Sequence, residues 1–214
     1  MTVEKSSTGI LGKIEALDHK IFLSFYNNTF LNNKGIIGFA KIYSFFGNVY
    51  FWGVLWLVWC IYGYITKDYL LLVLFTSGFI QSMSLHILIR YSIVKRNRPY
   101  ITLKSEGVKQ HDELIKESKS FPSGHVAFVI FFGIVFAYYF EDYFWIILLF
   151  SIGIDIIMAL CRLILGVHFP IDVIFGFVFG LLYALLYFGV TYPYWVWLFY
   201  WLGDIFSPII HFWR

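Results

Sequence analysis

The chain has 214 residues, of which 60% are hydrophobic, 23% are aromatic and only 14% are charged. Soluble domains carry about one quarter charged residues, so this composition excludes an ordinary soluble protein. The formal net charge of +3 is too small to indicate nucleic-acid binding, and no basic module with interleaved aromatic residues accompanies it.

The N-terminal region predicts helices at the membrane surface. Between residues 9 and 26 apolar side chains recur at helical spacing, and charged side chains occupy the opposite face. This pattern is typical of a helix that lies in the membrane interface or packs on a helical bundle, and the sequence leaves both open. Ile37 to Phe46 predict another short interfacial segment. No cleavable signal peptide is visible, because the first twenty residues contain no continuous apolar region.

The rest of the chain predicts five or six transmembrane helices. The stretch 173–203 contains no charged side chain, and about 20 apolar residues cross a bilayer core. Pro193 should separate the last two helices, since it cannot continue the preceding helix without losing a hydrogen bond. The predicted spans lie near residues 48–66, 69–90, 123–140, 143–164, 170–192 and 194–213.

These patterns predict an all-α fold, a polytopic membrane helix bundle preceded by N-terminal interfacial helices. We divide the chain into an interfacial segment, 1–47, and a transmembrane bundle, 48–214. The bundle contains one extended polar loop, 91–121, which joins the second and third spans. Mixed charge at this density usually indicates a solvated loop or a short surface helix. Because it connects two spans on one face, the loop is also a candidate lid.

The stretch Phe121-Pro122-Ser123-Gly124-His125 predicts the start of a helix. Ser123 is a good N-cap residue, and an apolar run follows it directly. A helix N-terminus gathers free backbone N–H groups and a positive dipole end, which suit a bound phosphate. A histidine in the first turn, His125, can deliver a proton beside that phosphate.

Three polar clusters should meet at one membrane surface. The second span ends at Arg90 and is followed by Arg98, and the third span begins at His125 on the same face. The next two spans return the chain to that face at Arg162 and leave it again from His168. Each cluster alone has a simpler explanation, because an arginine near a helix end usually extends to the interface. Their coincidence on one face favours a site.

His168 and Asp172 are four residues apart, so their side chains lie on one face of a helix. The carboxylate can accept a hydrogen bond from one imidazole nitrogen and leave the other free to attack. The guanidinium groups of Arg98 and Arg162 suit phosphate oxygens.

Three motifs resemble the signature of the type 2 phosphatidic acid phosphatase superfamily. They are Arg98-Pro99, Pro122-Ser123-Gly124-His125 and the stretch Cys161 to Asp172, which contains Arg162 and His168. The resemblance covers roughly residues 48–192. It implies a membrane lipid phosphatase that uses neither a metal nor another cofactor.

The family's roles transfer to the matching positions. The resemblance implies that His168 is the nucleophile that forms a phosphohistidine, that Asp172 orients it, and that His125 protonates the leaving oxygen. The implied ligands of the phosphoryl oxygens are Arg98, Arg162, Ser123 and the backbone N–H of Gly124.

The sequence departs from the family pattern at two positions. The family has a lysine seven residues before the arginine of Arg98-Pro99, where this chain has Tyr91. We expect Lys95, about one helical turn from Arg98, to replace that lysine as a phosphate ligand, with Arg90 as the second candidate. Cys161 stands where the family's third motif usually opens with serine, a supporting residue, so activity should survive.

Asp155 is the one carboxylate inside the fourth span, seven residues before Arg162. We expect it to form a structural hydrogen bond between helices. Support of Arg162 is the alternative.

The resemblance implies hydrolysis of a phosphate monoester or pyrophosphate on a lipid head group within the bilayer. Lipid A 1-phosphate and undecaprenyl pyrophosphate are the leading substrates, because the compact chain without fused domains looks bacterial. Phosphatidylglycerol phosphate and phosphatidic acid are alternatives, as is transfer of the phosphoryl group to another lipid. The hypothesis from a different class is a non-catalytic phospholipid-binding or transport protein, which has no need for the paired His168 and Asp172.

The membrane orientation rests on conflicting signals. The proposed catalytic face carries most of the lysines and arginines, which by the positive-inside rule would put it in the cytoplasm. The family resemblance implies the extracytoplasmic face of the inner (plasma) membrane, and we follow the family. The sequence does not indicate the oligomeric state.

Overall fold

The structure, a computed structural model, describes residues 9–92 and 94–206, which are almost entirely helical. Within these ranges no β-strand forms, and a single isolated bridge joins Asn97 to Lys119. The α-helices are α1 (Ile10–Tyr26), α2 (Lys34–Ser44), α3 (Val49–Thr66), α4 (Leu70–Ser92), α5 (Pro99–Thr102), α6 (Gly124–Tyr139), α7 (Phe144–Ile164), α8 (Pro170–Leu186) and α9 (Tyr192–Phe206).

The predicted polytopic helical bundle is confirmed. Among the described residues, four helical stretches are long and apolar enough to cross a membrane: Val49–Thr66, Leu70–Ser92, Glu141–Ile164 and Pro170–Ile205. The shorter apolar helix α6 occupies the centre, because nearly all of its side chains are buried and it packs against α4, α7 and α8. The first turn of α6 therefore lies close to the ends of the helices that pack against it.

The expected break between the last two spans is wrong. A five-residue π-helical segment, Tyr187–Thr191, joins α8 directly to α9, so the chain stays helical through Pro193. In this wider turn the backbone N–H of Tyr192 donates to the carbonyl of Tyr187, five residues earlier. The π turn thus shifts the hydrogen-bond register just before a residue that has no N–H to donate. The last part of the predicted sixth span, beyond residue 206, lies outside the described residues.

Helices α6 and α8 approach closely through glycine. A Cβ atom on Gly180 would lie 2.6 Å from the carbonyl oxygen of Ala127, and one on Gly176 would lie 2.7 Å from that of Ser123. Small residues four apart let helix backbones meet in a membrane. At the same end, the backbone N–H of Ser123 donates to the carbonyl oxygen of Asp172 (2.9 Å). The packing therefore fixes the start of α6 against the start of α8.

Helix α1 packs on the bundle through its second half. Phe22 is fully buried, with its ring 5.4 Å from that of Phe169, and the hydroxyl of Tyr26 accepts the backbone N–H of Lys109 (2.9 Å). Ile10 and Leu11, by contrast, are each 79% exposed. Of the two alternatives for this segment, packing on the bundle describes residues 18–26, and the exposed first turns remain available to the interface.

The expected role of Asp155 is wrong. Both of its carboxylate oxygens are buried and have no hydrogen-bond partner among the described residues. The alternative, support of Arg162, also fails, because Arg162 pairs instead with Asp112 of the polar loop. Seven residues correspond to a rise of about 10 Å along a helix, too far for a direct contact between the two side chains.

Candidate active site

A polar cavity of about 310 Å³ lies at the end of the bundle where α4, α6 and the polar loop meet. Its polar lining comes from four separate parts of the sequence. The charged and imidazole side chains that line it are His86, Arg90, Arg98, Lys116, Glu117, His125 and His168. The structure thus brings together the three clusters that the membrane topology predicted to converge.

His168 lies on the turn between α7 and α8 and is almost completely buried. Its Nε2 is 3.1 Å from a terminal nitrogen of Arg98, and its Nδ1 is 3.7 Å from Oδ2 of Asp172. Because a guanidinium can only donate, Nε2 must be the acceptor, and the ring proton is therefore on Nδ1. The imidazole thus has its unprotonated nitrogen next to Arg98 and its N–H on the side of Asp172, although at 3.7 Å the N–H makes no hydrogen bond to a described residue.

The electrostatic surroundings keep His168 neutral. Burial, followed by the positive charges of Arg98 and Arg162, lowers the pKa of the His168 imidazole well below its usual range. Burial also lowers the pKa of Arg98 to about 10, which leaves the guanidinium charged at neutral pH. A neutral imidazole beside two cations can act as a nucleophile toward an anion that those cations hold.

Asp172 lies behind His168 in the first turn of α8 and is fully buried. Its Oδ2 accepts the backbone N–H of Phe169 (2.8 Å), and its Oδ1 accepts a hydrogen bond from Arg96 (3.1 Å). The carboxylate does not line the cavity. It can therefore orient His168 but cannot contact a group bound in the cavity.

The two family arginines are held by the chain in different ways. Arg98 donates from Nε to the carbonyl oxygen of Glu117 (2.7 Å) and from a terminal nitrogen to that of Val167 (3.0 Å). Arg162 is fully buried and donates to the carboxylate of Asp112 (2.8 Å). Its Nε and second terminal nitrogen have no hydrogen-bond partner among the described residues. Buried charged donors without partners are costly, so an anion should complete this site.

His125 occupies the first turn of α6 and is partly exposed to the cavity. Gly47, just before α3, packs against it: a Cβ atom there would lie 2.6 Å from Cδ2 of His125. Gly124 similarly faces His86, whose Nε2 would lie 3.0 Å from a Cβ atom at that position. Glycine at both positions leaves room for two imidazoles around one helix start.

Ser123 does not cap α6 in the way the sequence predicted. It stands at the N-cap position, but its side chain makes no capping hydrogen bond, and its buried Oγ has no partner among the described residues. Its Cβ packs near Gly176 of α8, and it does not line the cavity. Because the side chain of Ser123 accepts no hydrogen bond from the first-turn N–H groups of α6, these groups remain available to an anion.

The structure favours Arg90 over Lys95 as the replacement for the family lysine. Arg90 lines the cavity and donates to the carboxylate of Glu117 and the carbonyl oxygen of Pro122, both at 2.7 Å. Lys95 is exposed and does not line the cavity. The preference for Lys95 assumed a helix, whereas residues 94–98 are non-helical, and in extended chain the side chains of residues three apart point to opposite faces.

Sequence reasoning did not assign to the site the following five side chains, which contact its residues or line its cavity. Asp112 and Glu117, from the polar loop, pair with the site arginines. Asp18 of α1 and Arg96 belong to the network behind Asp172. His86 lines the cavity, and the sequence does single it out, because it is the only ionisable side chain besides tyrosine between residues 69 and 89.

Comparisons with known proteins agree with this arrangement. A family model described as the PAP2 superfamily matches residues 66–197. The chain belongs to the PAP2 superfamily. A search by sequence among curated proteins returned no significant match.

Two solved structures have a similar fold. The crystal structure of Aquifex aeolicus LpxE has a TM-score of 0.63 and 19% sequence identity, over 86% of this chain and 98% of that one. The PAP2-type phosphatidylglycerolphosphate phosphatase from Bacillus subtilis has a TM-score of 0.61 and 22% identity, over 83% of this chain and 85% of that one.

We expect Gly47→Ala to lower phosphatase activity by about 100-fold, because the added methyl group displaces His125 and small misplacements of catalytic groups have effects of this size. The measurement is the initial rate with a lipid phosphate in detergent. Gly38→Ala is the matched control, since a Cβ atom at Gly38 meets nothing within 4 Å. Equal activity of both variants would show that Gly47 does not constrain His125.

We expect Arg90→Ala to reduce kcat/KM on the order of 100-fold, as loss of one charged oxyanion ligand does elsewhere. Lys95→Ala, an exposed substitution, should stay within about twofold of the parent. Steady-state kinetics of the two variants side by side provide the measurement. A larger loss of kcat/KM in Lys95→Ala than in Arg90→Ala would instead favour Lys95 as the phosphate ligand.

Proposed function

We propose that this protein is a metal-independent membrane phosphatase that hydrolyses a phosphate monoester or pyrophosphate on a lipid head group through a phosphohistidine at His168. The observation that carries the proposal is the position of the His168 imidazole between Arg98 and Asp172. Its Nε2 accepts from Arg98 (3.1 Å) while its Nδ1 faces Asp172 (3.7 Å), as a nucleophile beside a cationic phosphate site requires.

In the first step, the lone pair on Nε2 of His168 attacks phosphorus and the bond from phosphorus to the lipid oxygen breaks. His125 gives its proton to that leaving oxygen, and Asp172 stabilises the proton on Nδ1 of His168. Arg90 and Arg98, which line the cavity, stabilise the charge on the transferring phosphoryl oxygens, and the buried charge of Arg162 adds to the positive potential around them. Positioning and charge stabilisation dominate phosphoryl transfer, and here guanidinium groups supply the positive charge.

In the second step, a water molecule attacks the phosphorus of the phosphohistidine. The neutral His125 takes a proton from this water, the bond between nitrogen and phosphorus breaks, and inorganic phosphate leaves. His168 regains its starting tautomer and His125 its proton, so the cycle closes without any other reactant.

A lipid substrate is supported by the walls of the cavity. Beside its polar residues, the cavity is lined by Val49 at the start of α3 and by Met83 and Ile87 of α4. A second, apolar cavity of about 300 Å³ lies between the same two helices, lined by Trp52, Gly53, Trp56, Phe75, Thr76, Phe79 and Ile80. On each helix these residues begin about one turn further from the site, so a lipid chain can follow the α3–α4 seam while its phosphate reaches His168.

Within this class, we propose lipid A 1-phosphate or undecaprenyl pyrophosphate as substrate, with phosphatidylglycerol phosphate and phosphatidic acid as alternatives. The similarity of the fold to a phosphatidylglycerolphosphate phosphatase keeps that alternative open. Transfer of the phosphoryl group to a second lipid would use the same residues, with the acceptor hydroxyl in place of water.

We propose that the site faces the extracytoplasmic side of the inner (plasma) membrane, as the family resemblance implies. Helices α8 and α9 lead the chain away from the site, so the C-terminus should then lie in the cytoplasm. A fluorescent reporter that folds only in the cytoplasm, fused after residue 214, should fluoresce. A fusion that is expressed at a normal level but does not fluoresce would show the opposite orientation, with the site facing the cytoplasm.

The proposal is tested by phosphate release from a panel of lipid phosphates and pyrophosphates, with the detergent-purified protein and a chelator present. We expect chelator-resistant release that His168→Ala abolishes, because the nucleophile is lost. The ranking of rates identifies the substrate, and phosphorylated lipid products identify a transferase. If chelator removes activity and a divalent cation restores it, the metal-free mechanism is wrong. No release by the parent from any lipid would favour a binding or transport role.

A further inference from the structure

Arg96 joins two buried carboxylates, one of which belongs to the N-terminal helix α1. One terminal nitrogen of Arg96 donates to Oδ1 of Asp172 (3.1 Å), and the other donates to Oδ2 of Asp18 (2.5 Å). Asp172 is 0% exposed and Asp18 is 2% exposed. A single guanidinium therefore connects Asp18 to Asp172, although the two residues are 154 positions apart in the sequence (172 minus 18).

The second oxygens of both carboxylates bind the backbone that carries His168. Oδ2 of Asp172 accepts the N–H of Phe169 (2.8 Å), and Oδ1 of Asp18 accepts the N–H of Ile171 (2.9 Å). The guanidinium of Arg96 also stacks over the ring of Phe169, 4.0 Å from its centroid, and the ring of His19 stacks at 4.7 Å. Helix α1 therefore holds the residues directly after the nucleophile at several points.

None of these groups can bind substrate, since neither Asp18 nor Arg96 lines the cavity. Two carboxylates bound to one guanidinium in a buried site need that cation, because unpaired buried charges are strongly unfavourable. Asp18 in turn fixes Arg96 in the position from which it reaches Asp172. Supporting partners of this kind commonly change activity by about 10–100-fold without touching the substrate.

We propose that Asp18 and Arg96 are positioning residues that hold Asp172 as a carboxylate directed at Nδ1 of His168, so that helix α1 forms part of the active site. This inference rests on the proposed phosphohistidine chemistry. The negative charge of Asp18 acts on the reaction through Arg96 and Asp172, whereas an asparagine at this position keeps an oxygen that can accept the N–H of Ile171. Loss of Asp18 should therefore lower kcat and leave KM nearly unchanged.

The test is a double-mutant cycle of Asp18→Asn and Asp172→Asn, measured as steady-state phosphate release from the best lipid substrate. We expect Asp18→Asn to lower kcat by about 10–100-fold with KM within about twofold of the parent. In the Asp172→Asn background the same change should cause no further loss, since its target is already absent. Lys20→Gln, which removes an exposed charge on the same helix, is the control and should leave kcat unchanged.

Equal loss of kcat in both backgrounds would assign Asp18 a general structural role and overturn the inference, as would an unaffected kcat in Asp18→Asn. If Asp18→Asn does not fold, a comparison of Arg96→Lys with Arg96→Met provides a second test, because lysine keeps the buried positive charge that the two carboxylates need. The kcat of Arg96→Lys should fall less than that of Arg96→Met, and equal loss in the two variants would contradict the proposal. An inactive parent would reject the proposed function itself, whereas an active parent with unaffected variants rejects this inference alone.

Discussion

The buried guanidinium of Arg162 is the constraint on which the rest of the site depends. It lies at the end of a membrane-spanning helix, fully buried, with one carboxylate partner and two nitrogens that no described residue accepts from. Charged groups at this depth are costly unless a partner or a site requires them. Arg162 does not itself line the cavity, but it adds positive charge beside it. Burial, then Arg98 and then Arg162, lower the pKa of the His168 imidazole well below its usual range.

Elements that are distant in the sequence position this cluster of charged side chains. Close packing of α6 on α8 fixes the helix start that carries His125 against the helix start that carries Asp172. The polar loop supplies Asp112 and Glu117 to the site arginines, so it is more than a solvated connection. On the proposed function, a phosphate bound beside Arg90 would compete with Glu117 for that guanidinium, so binding would be coupled to the position of the loop.

The sequence was sufficient for the bundle and for the convergence of the three motifs, because apolar length and the parity of membrane crossings determine which helix ends share a face. It was not sufficient for contacts that depend on irregular backbone. The spacing of Lys95 and Arg98 brings them together only in a helix, whereas this part of the chain is not helical. The π turn before Pro193 lies in a uniformly apolar stretch, in which no residue pattern marks it. Asp18 could not be predicted either, since periodicity describes the face of a helix and not its distant partner.

The central claim is that His168 carries the phosphoryl group during turnover. The most direct measurement is a rapid acid-free quench of the enzyme with a lipid labelled in its phosphate, followed by localisation of the label on peptides. The account predicts an alkali-stable, acid-labile phosphate on the peptide that contains His168, absent from His168→Ala. Turnover of the labelled lipid with no label on the protein, or with label on another residue, would contradict it.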